Sequence, residues 1–186
     1  MTTYTLVYPP AHNTTYVKAT SEYASSYAPY LATDPAKSLT GTFTNNSWDT
    51  SSVTNQRFHI DLGEAKIVRR VYYENGHSSG LYTDIGAKLF TMQGSNEAAS
   101  FAQLTYATDT NWTNLTTGVS QFDIHTASNV EDPKYFLVTN TVAYRYYAFK
   151  IASNWTSATD LNLRRIVLMT EDGFGGVSFI PSPIFF

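Results

Sequence analysis

Apolar and polar residues alternate along most of the chain in short runs, and clusters of turn-forming residues separate the runs at intervals of about ten residues. Between Gln56 and Leu62, Phe58, Ile60 and Leu62 fall on one face of an extended strand, and Arg57, His59 and Asp61 fall on the other. Successive side chains of a strand point to opposite sides, so this segment reads as half-buried. Ala65–Glu74 is a longer, nearly continuous apolar run carrying Arg69 and Arg70, and Asn75-Gly76 closes it with a strong turn signal. The same pattern predicts strands over Tyr4–Tyr8, Ala87–Gly94, Phe101–Tyr106, Val119–Ile124, Lys134–Val138, Arg145–Ile151 and Leu161–Thr170. No segment sustains a helical period with caps. Glu22–Leu31 comes nearest, but Pro29 interrupts it, so it is expected to be irregular. Many short strands in succession predict an all-β antiparallel sandwich or barrel.

The two ends depart from this pattern. Residues 1–24 hold Pro9-Pro10 and many Thr and Tyr, and are expected to form an N-terminal arm that lends a strand to a main body over residues 25–173. Residues 174–186 form an apolar tail with four Phe and two Ile in thirteen residues. Apolar surface on that scale is expected to pack on its own domain or into a second copy of the chain, giving a homo-oligomer.

Composition sharpens the class and excludes several functions. Of 186 residues, 15% are aromatic and only 15% are charged. Polarity is therefore carried by hydroxyls, amides and phenols, which suits strands and turns rather than a helical bundle. Twelve Lys and Arg against fifteen Asp and Glu give a net charge of −3 without a basic cluster, so nucleic acid is not an expected partner. With no cysteine, disulfides, thiolate metal sites and cysteine nucleophiles are all excluded. No apolar stretch is long enough to span a membrane, and the opening residues lack the basic start and apolar core of a secretion signal, so a soluble protein without Sec-type export is expected.

Most patterns that could carry catalysis have simpler readings. Gly76-His77-Ser78-Ser79-Gly80 matches the Gly-x-Ser-x-Gly elbow of serine hydrolases. That elbow requires a helix directly after the nucleophile, and Leu81-Tyr-Thr-Asp-Ile-Gly is turn-like instead. His59 with Asp61, and Asp123 with His125, place an imidazole and a carboxylate on one strand face, but a structural role is the expected one. Glu131-Asp132 ahead of Pro133 reads as a solvated turn. The Asn-x-Ser/Thr sequons at Asn13, Asn45, Asn111, Asn114 and Asn154 are expected by chance in so Thr-, Ser- and Asn-rich a chain.

Six landmarks recur in the order of a known family. They are Ala36-Lys-Ser-Leu-Thr-Gly41 followed by Ser47-Trp48; Gln56-Arg-Phe-His-Ile-Asp61-Leu62-Gly63; Ala65-Lys-Ile-Val-Arg-Arg-Val71; Leu89-Phe-Thr-Met-Gln-Gly94-Ser95-Asn96-Glu97; Ala143-Tyr-Arg145-Tyr146-Tyr-Ala-Phe-Lys-Ile151; and Leu163-Arg-Arg165-Ile166-Val-Leu. Over residues 25–173 the chain resembles the discoidin, or coagulation-factor type C, domain family, with its galactose-binding-like jelly roll. The resemblance implies a β-sandwich of about eight antiparallel strands with loops gathered at one rim, and a binding rather than catalytic role. Many members of the family hold a structural Ca²⁺ through an Asp and a Glu whose positions read Thr40 and Arg165 here. Replacing both carboxylates leaves an ordinary calcium site unexpected, and no cofactor is predicted. Backbone carbonyls near Leu39–Thr44, with Asp34 or Asp49, remain as other possible ligands.

Sugar recognition needs an aromatic platform for the apolar face of a pyranose and planar polar groups for its hydroxyl edge. Three loops supply both. They contain Asn46, Trp48 and Asp49; Asn75, His77, Tyr82 and Asp84; and Asn154 and Trp155. Trp155 is the expected platform, Trp48 also falls on a core position of the family, and Trp112 is expected to cover the sheet. The chain is thus read as a non-catalytic, lectin-like module binding a glycan or glycoconjugate. Its texture and apolar tail also fit a virion or phage-tail component that self-associates. A glycan hydrolase is the remaining alternative, and it requires Asp49, Asp84 and Asp160 to converge on one pocket.

Overall fold

The computed structural model describes residues 2–173, so the apolar tail at 174–186 lies outside the described residues. The strands are β1 (Tyr4–Val7), β2 (Val17–Ala19), β3 (Trp48–Thr50), β4 (Thr54–Lys66), β5 (Val68–Asn75), β6 (Phe90–Ser95), β7 (Thr113–Asn114), β8 (Thr116–Thr117), β9 (Lys134–Thr139), β10 (Tyr144–Ser153) and β11 (Leu161–Glu171). One sheet runs β1-β11-β5-β9-β8 with β3 also paired to β11, and the other runs β2-β4-β10-β6-β7. Every pairing between these strands is antiparallel. The expected two-sheet sandwich is therefore present. Among the described residues, no helix is long and apolar enough to cross a membrane.

The core lies between the sheets and is filled by the inward positions of the long strands. Phe58 and Ile60 of β4, Phe149 and Ile151 of β10, Val71 and Tyr73 of β5, and Ile166 and Leu168 of β11 are all buried. Truncating such a Phe to Ala costs about 3–5 kcal/mol, because a close-packed interior relaxes only partly around the cavity. The outer face of β4 is covered too. Arg57 and His59 lie beneath a flap made of the short helix α1 (Ala98–Ala102) and the segment after it. Arg57 donates to the carbonyls of Thr105 and Thr108 and to Gln93 and Asp109. Beside it, Phe101, Trp112, Tyr146 and Ala148 form a satellite cluster.

Three segments differ from the pattern-based expectation. The apolar run from Ala65 to Glu74 is two strands, because the chain crosses from one sheet to the other at Ile67. Tyr147 pins that corner: its Oη donates to the Lys66 carbonyl at 2.6 Å and accepts from the Val68 N–H at 3.2 Å. Phe101–Tyr106 is not a strand. Instead, Phe101 sits in α1 and stacks on Tyr146 at 5.1 Å, so packing with the flap overrides the local alternation. Val119–Ile124 holds only an isolated bridge from Gln121 to Leu89, with Phe122 buried in the core. Within the irregular segment Glu22–Leu31, Ser25–Tyr27 and Pro29–Ala32 form short 3-10 helices, and Pro29 occupies the first turn, where its missing N–H costs nothing. Residues 2–24 are integral to both sheets, since β1 pairs with β11 and β2 with β4.

Sheet register sets the position of the loops. Asn75 at the end of β5 lies opposite Leu163 near the start of β11, and Ser153 at the end of β10 lies opposite Thr54 at the start of β4. The loops following β2, β5 and β10 therefore meet at one rim of the sandwich.

Candidate functional site

At that rim, the loop after β5 and the loop between β10 and β11 form the walls of a cleft of about 570 Å³, lined among others by Phe43, Ser78, Tyr82, Asp84, Ser157, Thr159 and Asp160. A shallower hollow of about 230 Å³ adjoins it, lined by Tyr23, Tyr27, Phe43, Asp49 and Asp160. Phe43 and Asp160 belong to both, so the two form one continuous groove. Tyr23, Tyr27 and Phe43 follow one another along it, with ring centroids 5.6 and 5.7 Å apart.

Local backbone chemistry fixes each wall. Tyr82 is 65% exposed and held in the left-handed region at φ 56°. Gly80, at φ 80°, brings its backbone against Ser128, and a Cβ there would lie 2.3 Å from the Ser128 carbonyl carbon. Only glycine fits that approach. The Asp84 carbonyl accepts from the N–H groups of Thr156 and Ser157 at 3.2 and 3.3 Å, tying the two walls together. Asn154 donates through Nδ2 to the carbonyls of Ser157 and Asp160 at 2.9 and 2.7 Å, closing the second wall as a compact turn.

The groove is acidic. Asp84 and Asp160 line the cleft, Asp49 and Asp160 line the hollow, and among the described residues no Lys or Arg lines either one. Asp49 is 3% exposed and accepts from Asn162 Nδ2 at 3.3 Å. Burial, reinforced by the charge of Asp160, raises its pKa to about 7. A perturbed carboxylate in a cleft is a common mark of a functional site. Among the described residues, no three acidic or imidazole groups stand close enough together to hold a metal ion. The three carboxylates thus share a groove without meeting at one point.

The sequence-predicted residues separate into surface and frame. Tyr82 and Asp84 reach the cleft, and Asp49 reaches the hollow. Trp48 is wholly buried and donates through Nε1 to the Ser21 carbonyl at 2.9 Å, so it belongs to the core rather than to a binding surface. Asn75 is also buried and donates to the carbonyls of Ala87 and Asp123. Asn46 holds its own loop by donating to the carbonyls of Thr42 and Thr44. Half-buried Trp155 is outside the groove lining, with the Lys88 ammonium 4.4 Å from its ring centroid. His77 is buried, accepts the Gly80 N–H at Nδ1, and therefore donates from Nε2 to the Leu39 carbonyl. Its ring stacks on His125 at 3.7 Å, and burial, the Arg164 charge and His125 together lower its pKa to about 4.

The catalytic patterns resolve in the same way. Ser78 lines the cleft, but its loop returns through a Ser78–Leu81 bridge and a 3-10 helix at Thr83–Ile85, without the helix an elbow requires. His59 points its Nδ1 at the Phe101 carbonyl, while Asp61 binds Arg145 through two bonds of 2.8 and 2.9 Å. The groove's Tyr23, Tyr27 and Phe43 were not singled out from the sequence. They belong to an irregular Ser- and Tyr-rich segment, folded back on itself by the Asn45 N–H bond to the Ser26 carbonyl.

The loop carrying Thr40, where the family resemblance implies a calcium ligand, encloses an arginine side chain. Arg164 is wholly buried, and its guanidinium donates to the carbonyls of Ser38, Gly41, Thr42 and His77 at 3.2, 3.1, 3.1 and 2.8 Å, and also to that of Thr40. Burial lowers its pKa only to about 10, so it remains a cation at neutral pH. These are the oxygens a hard cation would need, and they are already engaged. Asp34 accepts from the Ala36 N–H. The donor set therefore does not fit an additional Ca²⁺. Arg165, expected at this place from the motif, instead donates to the Lys37 carbonyl on the outer face of its sheet.

No family model and no curated protein sequence matches the chain. Solved structures do. The chain is similar to a truncated AlyQ with CBM32 and alginate lyase domains, at TM-score 0.59 and 19% identity over 92% of this chain and 34% of that one. It spans about a third of that protein. It is also similar to the family 32 CBM from C. perfringens NanJ, solved in complex with galactose, at TM-score 0.58 and 13% identity over 90% of this chain and 99% of that one. A third is chitosan-binding module 1 from a Paenibacillus sp. IK-5 chitosanase/glucanase, at TM-score 0.51 and 19% identity over 82% and 92%. The fold is thus the discoidin-like sandwich of family 32 carbohydrate-binding modules.

Proposed function

We propose that the chain is a non-catalytic glycan-binding module whose rim groove takes a neutral or amine-bearing sugar. The observation that carries this reading is the pairing of Tyr82 and Phe43 with Asp84 and Asp160 in one open cleft of about 570 Å³. Aromatic rings offer a surface for the C–H face of a pyranose, and carboxylates accept from its hydroxyls or from an ammonium group. A groove with three carboxylates and no lining cation disfavours uronates and sialic acids by like-charge repulsion. The galactose- and chitosan-binding neighbours support a sugar ligand of this kind. Titration of the full chain with glucosamine oligomers and with galactose tests it: saturable millimolar binding that Tyr82→Ala weakens at least tenfold is expected, and no saturation contradicts it.

A glycan hydrolase is the second reading, favoured by Asp49, whose pKa near 7 suits a general acid in the groove. Release of reducing ends from soluble glycans, lost in Asp49→Asn, would establish it. The apolar composition of residues 174–186 supports self-association; light scattering of the full chain against a chain ending at residue 173 tests that.

A further inference from the structure

A second polar-aromatic surface lies away from the rim, on the outer face of the sheet formed by β1, β11, β5 and β9. Register places Leu6, Met169, Arg70 and Leu137 in one row across these strands, with Val167, Tyr72 and Tyr135 in the next. A cavity of about 230 Å³ opens there, lined by Leu6, Tyr8, Tyr72, Tyr135, Arg165 and Val167. Leu6, Tyr135 and Leu137 are 47%, 47% and 56% exposed, an unusual amount of large side chain on one sheet face.

Arg165 lines this cavity and Arg70 lies in the neighbouring row of the sheet, and neither makes an ion pair among the described residues. Arg165 is 4% exposed, its Nε has no hydrogen-bond acceptor, and among the described residues its guanidinium donates from Nη2 to the Lys37 carbonyl at 2.6 Å. Arg70 stacks 4.0 Å from the Tyr135 centroid and 5.1 Å from that of Tyr4 and makes no ion pair. Glu74, opposite Arg165 on β5, has both oxygens occupied, one by Tyr72 Oη at 2.8 Å and the other by the Asp132 N–H at 2.8 Å. Asp34 accepts from the Ala36 N–H. Asp34 and Glu74 lie near enough to favour the Arg165 charge without forming an ion pair with it, and a buried guanidinium N–H without an acceptor is costly, so the Nε donor is left for a ligand in the pocket.

We propose that this face is a second ligand site, selective for a carboxylate-bearing sugar. The carboxylate would pair with Arg165, with Arg70 beside it, and the C–H face of the pyranose would lie on Tyr72 and Tyr135, whose rings are 5.4 Å apart. The site is opposite in charge to the rim groove and stands independently of it. The two together would let one module hold two differently charged parts of a polysaccharide surface.

The test is a titration of the full chain with galacturonate, galactose and sodium sulfate, followed by NMR shifts at Tyr72 and Tyr135 and by calorimetry. Galacturonate is expected to saturate at millimolar concentration, with galactose at least tenfold weaker at these signals. Arg70→Ala and Tyr135→Ala, both partly exposed, are expected to weaken galacturonate at least fivefold with unchanged circular dichroism. Asp160→Asn in the rim groove is expected to leave this binding unchanged, which separates failure here from failure at the rim. The proposal is overturned by any of four results: no shift at 20-fold excess over a millimolar threshold of about 1 mM, equal binding of galactose, equal binding of sulfate (an adventitious ion only), or a dimer that Tyr135→Ala dissociates, which would assign the face to a second copy.

Discussion

Arg164 donates through Nη1 to the carbonyl oxygen of Gly41 at 3.1 Å, reaching from β11 into a loop 123 residues earlier in the chain. With the bonds to its neighbouring carbonyls, this makes a side chain the cation that organises one wall of the rim. The account predicts that millimolar EDTA leaves the thermal midpoint unchanged. Arg164→Ala leaves several buried carbonyls unpaired and is expected to lower that midpoint by roughly 5–15 °C. Differential scanning calorimetry checks both, and a midpoint that falls on chelation contradicts the first.

The stacked pair His77 and His125 makes the rim acid-sensitive. Burial lowers both pKa values, that of His77 to about 4, and burial likewise lowers that of His59 to about 4. The unfolded chain binds these protons near pH 6.5 and the folded chain does not. Their contribution is therefore complete above about pH 6.5 and falls as pH drops toward 4, by on the order of 3 kcal/mol each for His77 and His59. Arg164 lies close by and opposes protonation of both members of the pair, while Asp132, 3.7 Å from His125 Nδ1, favours it. Urea midpoints that decline between pH 7 and 4.5 are expected. A flat profile contradicts the burial of neutral imidazoles.

Asp49 works in the opposite direction. Its pKa is raised to about 7, so its burdened charge lowers stability as pH rises from about 4 to 7. Asp49→Asn is expected to be more stable than the parent chain at pH 8 and similar to it at pH 5. Carboxyl carbon NMR should place its titration near pH 7, and lower in Asp160→Asn; a midpoint below pH 5 in the parent chain contradicts the coupling.

Gly80 sets the position of Tyr82. Its left-handed φ of 80° and its approach to Ser128 leave no space for a Cβ. Gly80→Ala is expected to cost about 2 kcal/mol or more and to weaken sugar binding through displacement of the Tyr82 loop. Unchanged affinity in a folded Gly80→Ala chain would detach Tyr82 from the site.

How far the chain could be read from its residues depended on which contacts were local. The strands β4, β10 and β11 announce themselves by alternation, because one face of each meets the core. The break at Ile67 is silent in the sequence, since it depends on Tyr147 bonding to both Lys66 and Val68 from 80 residues away in the chain, more or less. Phe101 has the alternation of a strand residue but follows Ala98-Ala99 into a helical turn under the flap. At the rim, Tyr82 and Asp84 were legible because they follow a turn signal in a polar loop. Trp48 carried the chemistry of a platform, yet its ring fills the core. Tyr23, Tyr27 and Phe43 were illegible as a site because only the folding-back of residues 23–47 lines them up. Arg164 was hidden beside Arg165, where the motif alone pointed one residue further along.

The most direct test of the rim groove is a calorimetric titration of the full chain with glucosamine oligomers, run beside Tyr82→Ala and Asp160→Asn. The account predicts saturable binding that both substitutions weaken at least tenfold while the thermal midpoints stay within a few degrees of the parent. Binding unaffected by either substitution, or no binding to any neutral or amine-bearing sugar at millimolar concentration, would contradict it.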